Sequence, residues 1–303
     1  MIRISAHPGG EKLYSDLEKL FISGKSFVTP HQHFSFICGA GQDTKGSIRE
    51  EFLTFIISNP DKHSILPIIA EEAIDEFLNG DGSHSKPDLG EFENLIGECV
   101  DSVLIFPESA GSLAELGFFA AKDNIRNITL VVSQNKHQGN SFITLGLIPL
   151  FNSHSAYNPM LILEDNHDQG FQIVIDRLQL KGSKKKYRTR FPYESFEKLS
   201  NKNQMIALHE LIRVFGYVTE QNLFESIHKI FKKYDLTKVK RLLAILYAMK
   251  YISRTNDGDY LISKEAPSLL EYDDSSFDNA KVSVLNFYQT NDPEVWKIIE
   301  NIA

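Results

Sequence analysis

The sequence predicts an α/β fold: an open, mostly parallel sheet flanked by helices, joined to a smaller α+β module. Three observations carry this expectation. From residue 34 onward, apolar runs of strand length alternate with amphipathic stretches, the pattern of a parallel sheet with helices on both faces. Beyond residue 192 the apolar residues fall at helical spacing instead, ending in a hairpin signal. Charge is segregated along the chain. Residues 1–180 carry 12 Lys and Arg against 24 Asp and Glu, residues 181–254 carry 17 against 6, and residues 255–303 carry 3 against 10, within a formal net charge of -8. That asymmetry suggests a basic module that meets a polyanion, attached to an acidic body that would not.

At 303 residues, 42% hydrophobic and 24% charged, the chain has the composition of a soluble globular protein with room for two domains. No run approaches eighteen apolar residues, and "MIRISAHPGGEKLYSDLEKLF" has no long apolar segment after its early arginine. Neither a spanning helix nor a signal peptide is expected, and the expected compartment is the cytoplasm. Cys38 and Cys99 are too few for a disulfide framework and lack zinc-pair spacing, so each reads as a small buried hydrophobe. The ten histidines show no paired spacing, and no metal is expected.

In order, "FSFIC" predicts the first strand, 47–58 a helix, "SILPIIA" a strand, 71–78 and 88–98 helices, "SVLIF" a buried strand, 112–123 a helix, and "ITLVVS" and "MLILE" the remaining strands. The Gly-, Ser- and Asp-rich stretch 79–90 and the irregular segment 134–159 read as connections or lids. "LKGSKKKYRTRFPY" is polar and basic, placing a linker at 181–192 between an α/β domain (1–180) and a module at 193–265. The module reads as two helical stretches around Gly216, a third helix in "DLTKVKRLLAILYAMKY" and a hairpin in "ISRTNDGDYLIS". Three helices and then a hairpin is the order of a winged helix-turn-helix. Residues 266–303 read as an acidic tail ending in a short amphipathic helix.

Two turns fall where ligands bind in open α/β sheets, beyond the carboxyl ends of strands. The first, "FICGAGQDTKGS", offers Cys38, Gly39, Ala40 and Gly41, where glycines let backbone N–H groups approach a ligand. It is no Walker A loop, because Lys45 precedes Gly46. It is no complete dinucleotide fingerprint either, because Thr44 stands at the third glycine. A plain strand-to-helix turn is the alternative. The second, "VLIFPESAGSLAELGFF", offers Glu108, Ser109, Gly111, Ser112 and Glu115. Ser112 and Glu115, three apart before an apolar run, also carry the signature of a capping box, so Glu115 reads as cap or as catalyst. Glu71 and Glu72, which end another strand, read as helix-start residues or ligand contacts.

Strand followed by "FPESAGSLAELGFF" resembles the nucleoside 2-deoxyribosyltransferase family, whose nucleophilic glutamate sits in a Gly-x-x-x-Glu-Leu-Gly context. With "FICGAG", "AEEAIDEF" and "FENLIGECVDSVLIFPES" in the same order, the chain is similar to bacterial retron effectors. These are the toxin components of antiphage reverse-transcriptase systems, which join such a domain to a winged-helix-like module. The resemblance implies a Rossmann-like fold and an N-glycosidase in which Glu115 is the nucleophile. It implies that Gly39, Gly41, Ser109 and Ser112 hold ribose and phosphate, that Glu108 bonds sugar hydroxyls, and that Cys38, Ala40, Glu71 and Gly111 complete the surroundings. NAD, a nucleotide or a nucleoside would be the substrate, NAD being favoured by the resemblance to retron effectors, with no cofactor. Implied partners are a reverse transcriptase and its multicopy single-stranded DNA, in an oligomer. The transferases usually offer an aromatic residue in the first loop, and this loop has none. The chemistry is coherent, since a carboxylate beneath the anomeric carbon stabilises or traps an oxocarbenium-like state.

Lys184, Lys185, Lys186, Arg188 and Arg190 before the module, and Lys238, Lys240 and Arg241 on its third helix, are the expected phosphate contacts. Solvated surface charge is the plain alternative. The other functional expectation is a nucleotide-sensing, DNA-binding regulator, in which the α/β domain binds a nucleotide without cleaving it.

Overall fold

The structure is a computed structural model that describes residues 1–22, 24–29, 33–41, 44–80, 88–134, 141–164, 167–182, 188–264 and 266–302. By contact the chain divides into two units, one of Met1–Pro30, Glu72–Lys86 and Tyr187–Ala303, the other of His31–Glu71 and Pro87–Lys186. The division is not collinear with the sequence. Residues 1–30 and 72–86, which the sequence places with the α/β domain, belong by contact to the C-terminal unit. Hydrophobic burial is the cause: helix α1 (Gly10–Ile22) buries Leu13, Leu17, Leu20 and Phe21, and it packs on helices near the C-terminus. Strand β1 (Ser26–Val28) follows it.

The second unit is built on one parallel sheet. Strand β2 (His33–Cys38) leads to helix α2 (Ile48–Ser58) and then to β3 (Ile65–Ile68); helix α3 (Ala70–Gly80), which follows, belongs from Glu72 to the first unit, and α4 (Leu89–Cys99) leads to β4 (Ser102–Ile105). Helices α5 (Ala110–Ala120) and α6 (Asp123–Arg126) precede β5 (Thr129–Gln134). A π-helical turn at Ile143–Leu147, α7 (Ile148–His154), β6 (Leu161–Leu163) and α8 (His167–Gly182) complete it. The strand order is β3-β2-β4-β5-β6, all parallel, with Cys38 opposite Ile105 and Ile105 opposite Val131. Every residue of β2 and of β4 is buried, as expected of strands covered on both faces. Ile37, Phe52, Leu104, Phe106, Leu130, Val132, Phe171 and Val174 form a core on one side. The order reverses between β2 and β4, and in such sheets the ligand crevice opens beyond the carboxyl ends of the strands at that reversal.

In the other unit β1 is the centre of an antiparallel sheet with β7 (Thr189–Arg190) on one side and β11 (Leu270–Tyr272) on the other. Helix α9 (Asn201–Phe215) ends at Gly216, whose φ of 77° suits glycine. Helices α10 (Glu220–Phe231) and α11 (Leu236–Ala248) and the hairpin β9 (Ile252–Arg254) with β10 (Tyr260–Ile262) follow in the order the sequence predicts, and a short strand β8 (Tyr217–Val218), which it does not predict, precedes them and pairs with β10. The hairpin turns at Gly258, φ 86°. Helices α12 (Ser276–Asn291) and α13 (Pro293–Ile302) close the chain, and α12 packs on α1 and α9.

This unit buries one carboxylate completely. Glu210 on α9 accepts from the backbone N–H of Leu269 and Leu270 at 2.9 and 3.3 Å, from His209 Nδ1 at 3.2 Å, from Arg213 Nη2 at 2.8 Å and from the Tyr272 hydroxyl at 3.1 Å. Burial opposes its charge, but the His209 hydrogen bond and the Arg213 guanidinium outweigh it and hold the carboxyl below the usual range.

Candidate active site

Two turns meet at the strand-order reversal, and Glu108 ties them together. Its Oε1 accepts from the N–H groups of Ala40 and Arg49, each at 3.2 Å, and its Oε2 from that of Ile48 at 2.8 Å. The carboxylate thus takes orphan donors at the start of α2, where the helix dipole favours an anion. Glu108 was expected to meet sugar hydroxyls; its oxygens hold the glycine turn instead. Gly39 is required sterically, since a Cβ there would lie 2.7 Å from Arg49 Cβ and 3.1 Å from Glu108 Oε1. Gly41 is different, because a Cβ there would meet open space.

The second turn corrects the capping expectation. Helix α5 begins at Ala110, with the extended Ser109 as N-cap. The Ser109 hydroxyl accepts from Ser112 N–H at 3.1 Å, and the Ser112 hydroxyl accepts from the N–H groups of Ser109 and Glu108 at 3.0 and 3.1 Å. The capping box is therefore Ser109–Ser112, one turn earlier than the Ser112–Glu115 spacing suggests. Glu115 is left with no capping duty.

Glu115 points into a cluster of like charge. The buried Cys38 thiol favours the charged form of Glu115. Its Oε2 is buried and has no hydrogen-bond partner among the described residues. Burial first, then the charge of Glu71, push its carboxyl up to about 7, against the opposing pull of Arg49 and Cys38. Burial and the charges of Glu115 and Glu71 push Glu93 on α4 up to about 7 as well. Arg49 opposes them at Glu115; its side chain is 4% exposed, and Nη1 lies 2.8 Å from Glu71 Oε1. Its Nη2 is buried without a partner among the described residues. Burial and the neighbouring glutamates push the Cys38 thiol well above its usual range, so it is no thiolate nucleophile here.

Cys38, Gly39, Ala40, Glu71, Glu108, Ser109, Gly111, Ser112 and Glu115 thus all lie at this edge of the sheet, with Gly111 exposed on the first turn of α5. Sequence reasoning missed Arg49 and Glu93. Each sits in an amphipathic helix where a lone charge reads as solvent-facing, and only the folded edge shows that both face Glu115. No cluster of three or more His, Cys, Asp or Glu among the described residues could hold a metal ion.

The expected phosphate contacts are dispersed. Lys184, Lys185 and Lys186 lie outside the described residues. Arg188 is paired with Glu271 at 2.9 Å and Asp273 at 2.7 Å and lies over Phe27. Arg190 is exposed on β7. Lys238 is half-buried in the first turn of α11, Lys240 lies 3.8 Å from Glu220, and Arg241 lies over Phe77. Among the described residues no helix is long and apolar enough to cross a membrane.

Fold and site together define an α/β protein with a half-buried, unsatisfied carboxylate at the switch point of a five-stranded parallel sheet. The model of the STM3845 retron effector protein family matches residues 45–254, and the chain belongs to that family. Two relatives from Escherichia coli, Retron Ec86 and Retron Ec73 proteins, are each named as a candidate ribosyltransferase/DNA-binding protein. The first is 34% identical over 125 residues, 40% of this chain and 39% of the relative. The second is 27% identical over 286 residues, 89% of both chains.

Proposed function

We propose that the chain is the toxin of an antiphage retron, an N-glycosidase that cleaves the sugar–base bond of NAD, a nucleotide or a nucleoside through Glu115. The observation that carries the reading is Oε2 of Glu115, a buried carboxylate oxygen free of capping and of any described partner. As the base departs with the bonding electron pair, positive charge grows at the anomeric carbon. Ionised Glu115 stabilises that charge or captures it as a glycosyl ester, which water then opens, returning the carboxylate. Glu93, whose carboxyl is pushed up to about 7, is the acid assigned to the departing base in this reading. The working form has Glu115 ionised and Glu93 protonated. Ser109, Ser112, Gly39, Ala40, Gly41 and Gly111 form the walls that seat sugar and phosphate, and Glu108 keeps the two turns in register.

The names of the relatives pair ribosyl transfer with DNA binding, which supports assigning nucleic-acid contact to the C-terminal module, read as a winged helix. In this reading a reverse transcriptase and its multicopy single-stranded DNA hold the effector inactive in the cytoplasm. The test is to incubate purified protein with NAD, nucleosides and nucleotides and resolve products by mass. Free base with a matching sugar product is expected. Tight binding of a nucleotide with no product would favour the regulator instead.

A further inference from the structure

Two buried atoms of opposite kind stand open in one cluster: Arg49 Nη2, a donor, and Glu115 Oε2, an acceptor. The two side chains feel each other's charge, yet neither atom bonds to the other or to any described residue. The guanidinium is fixed, because Nη1 is held by Glu71 at 2.8 Å and the aliphatic stem packs where a Gly39 side chain would stand. A buried unpaired donor and a buried unpaired acceptor are each costly, and one ligand group that accepts and donates together satisfies both. A hydroxyl does so.

Charge excludes the other candidate, a phosphate. Glu71 and Glu115 raise Glu93, Glu71 raises Glu115, and Arg49 alone among the described residues opposes Glu115 as a cation, so a further anion at this spot would be repelled. On the proposed reading Glu115 faces the anomeric carbon, and the hydroxyl nearest that carbon is the 2′-hydroxyl of a ribose. We infer that Arg49 and Glu115 bracket the ribose 2′-hydroxyl, which makes Arg49 a specificity residue for ribosides over 2′-deoxyribosides. This rests on the glycosidase reading and goes beyond it, because it sets the chain apart from transferases that act on deoxyribosides.

The experiment compares matched pairs: NAD with its nicotinamide 2′-deoxyriboside analogue, AMP with dAMP, and adenosine with deoxyadenosine. For whichever pair the wild type cleaves, the ribosyl member should be favoured in kcat/KM by on the order of 10⁴-fold, as when a site built for a hydroxyl meets an analogue lacking it. Arg49→Lys and Arg49→Gln should slow both members but collapse that ratio to roughly tenfold or less. A wild type that cleaves both members equally, or an Arg49 variant that keeps the full ratio, overturns the inference while leaving the glycosidase reading intact. If neither variant folds, the wild-type ratio still decides whether the hydroxyl is read. Cleavage of no pair at all refutes the glycosidase reading and this inference with it.

Discussion

Each unit buries a glutamate, and the two are set in opposite ways. Glu210 is sealed among five donors and held below the usual carboxylate range. Glu115 leaves a buried oxygen without a described partner, and its carboxyl is pushed up to about 7. A carboxylate used for folding has its lone pairs filled by the protein. One whose buried lone pairs have no protein partner carries a cost in stability that a substrate or a proton can remove.

The comparison is tested most strongly by stability. Glu210→Ala should lose about 3–5 kcal/mol, because Arg213 and two buried N–H groups are left unpaired, as read from chemical denaturation. Glu115→Gln should lose nothing, and above pH 7 should melt at the same or a higher temperature than wild type. The sign follows from linkage. With folded values near 7 against an ordinary 4.5, the native state binds more protons between those pH values. The stability present below about pH 4.5 therefore falls as pH rises through 7, and the glutamine removes one source of that fall. A Glu115→Gln protein that melts well below wild type at pH 8 would make Glu115 a structural residue like Glu210.

Gly39→Ala comes next. The added methyl would meet Arg49 Cβ at 2.7 Å and Glu108 Oε1 at 3.1 Å, so a loss of about 1–3 kcal/mol is expected from overpacking, with cleavage impaired as Arg49 shifts. The same change at Gly41, where a Cβ meets nothing within 4 Å, should leave the melt unchanged, and equal effects at the two glycines would contradict the steric account.

A finer probe is pH. With Glu115 ionised and Glu93 protonated, kcat/KM should be bell-shaped with its maximum near 7. Glu71→Gln removes an anion that raises Glu115 and frees the charge of Arg49, so the ascending limb should move to lower pH. An unmoved limb would detach Glu71 from the site. The smallest effect belongs to the cap: Ser109→Ala should cost about 1 kcal/mol while leaving Glu115 in place.

Much of this was legible beforehand, because strand burial and helix spacing are local properties of the chain. The apolar runs of β2 and β4 mark the sheet, and the turns that follow mark its ligand edge. What the sequence hides is long-range. The Ser112–Glu115 spacing looks like a cap, but the extended backbone at Ser109 starts the helix early and frees the glutamate. Glu108 looks like a ligand contact, and only tertiary pairing shows three backbone N–H groups on it. Nothing local reveals that Arg49 and Glu93 converge on Glu115, or that residues 1–30 pack by contact with the C-terminal helices.

The central claim is that Glu115 is the reacting carboxylate, and the rate of glycosidic cleavage by Glu115→Gln tests it most directly. An amide carries no charge to stabilise the oxocarbenium state and is a far weaker nucleophile. On a substrate that wild type cleaves, kcat/KM should fall by more than about a hundredfold, roughly 3 kcal/mol of barrier, in a protein that melts normally. A normally folded Glu115→Gln enzyme that cleaves at the wild-type rate would contradict the account.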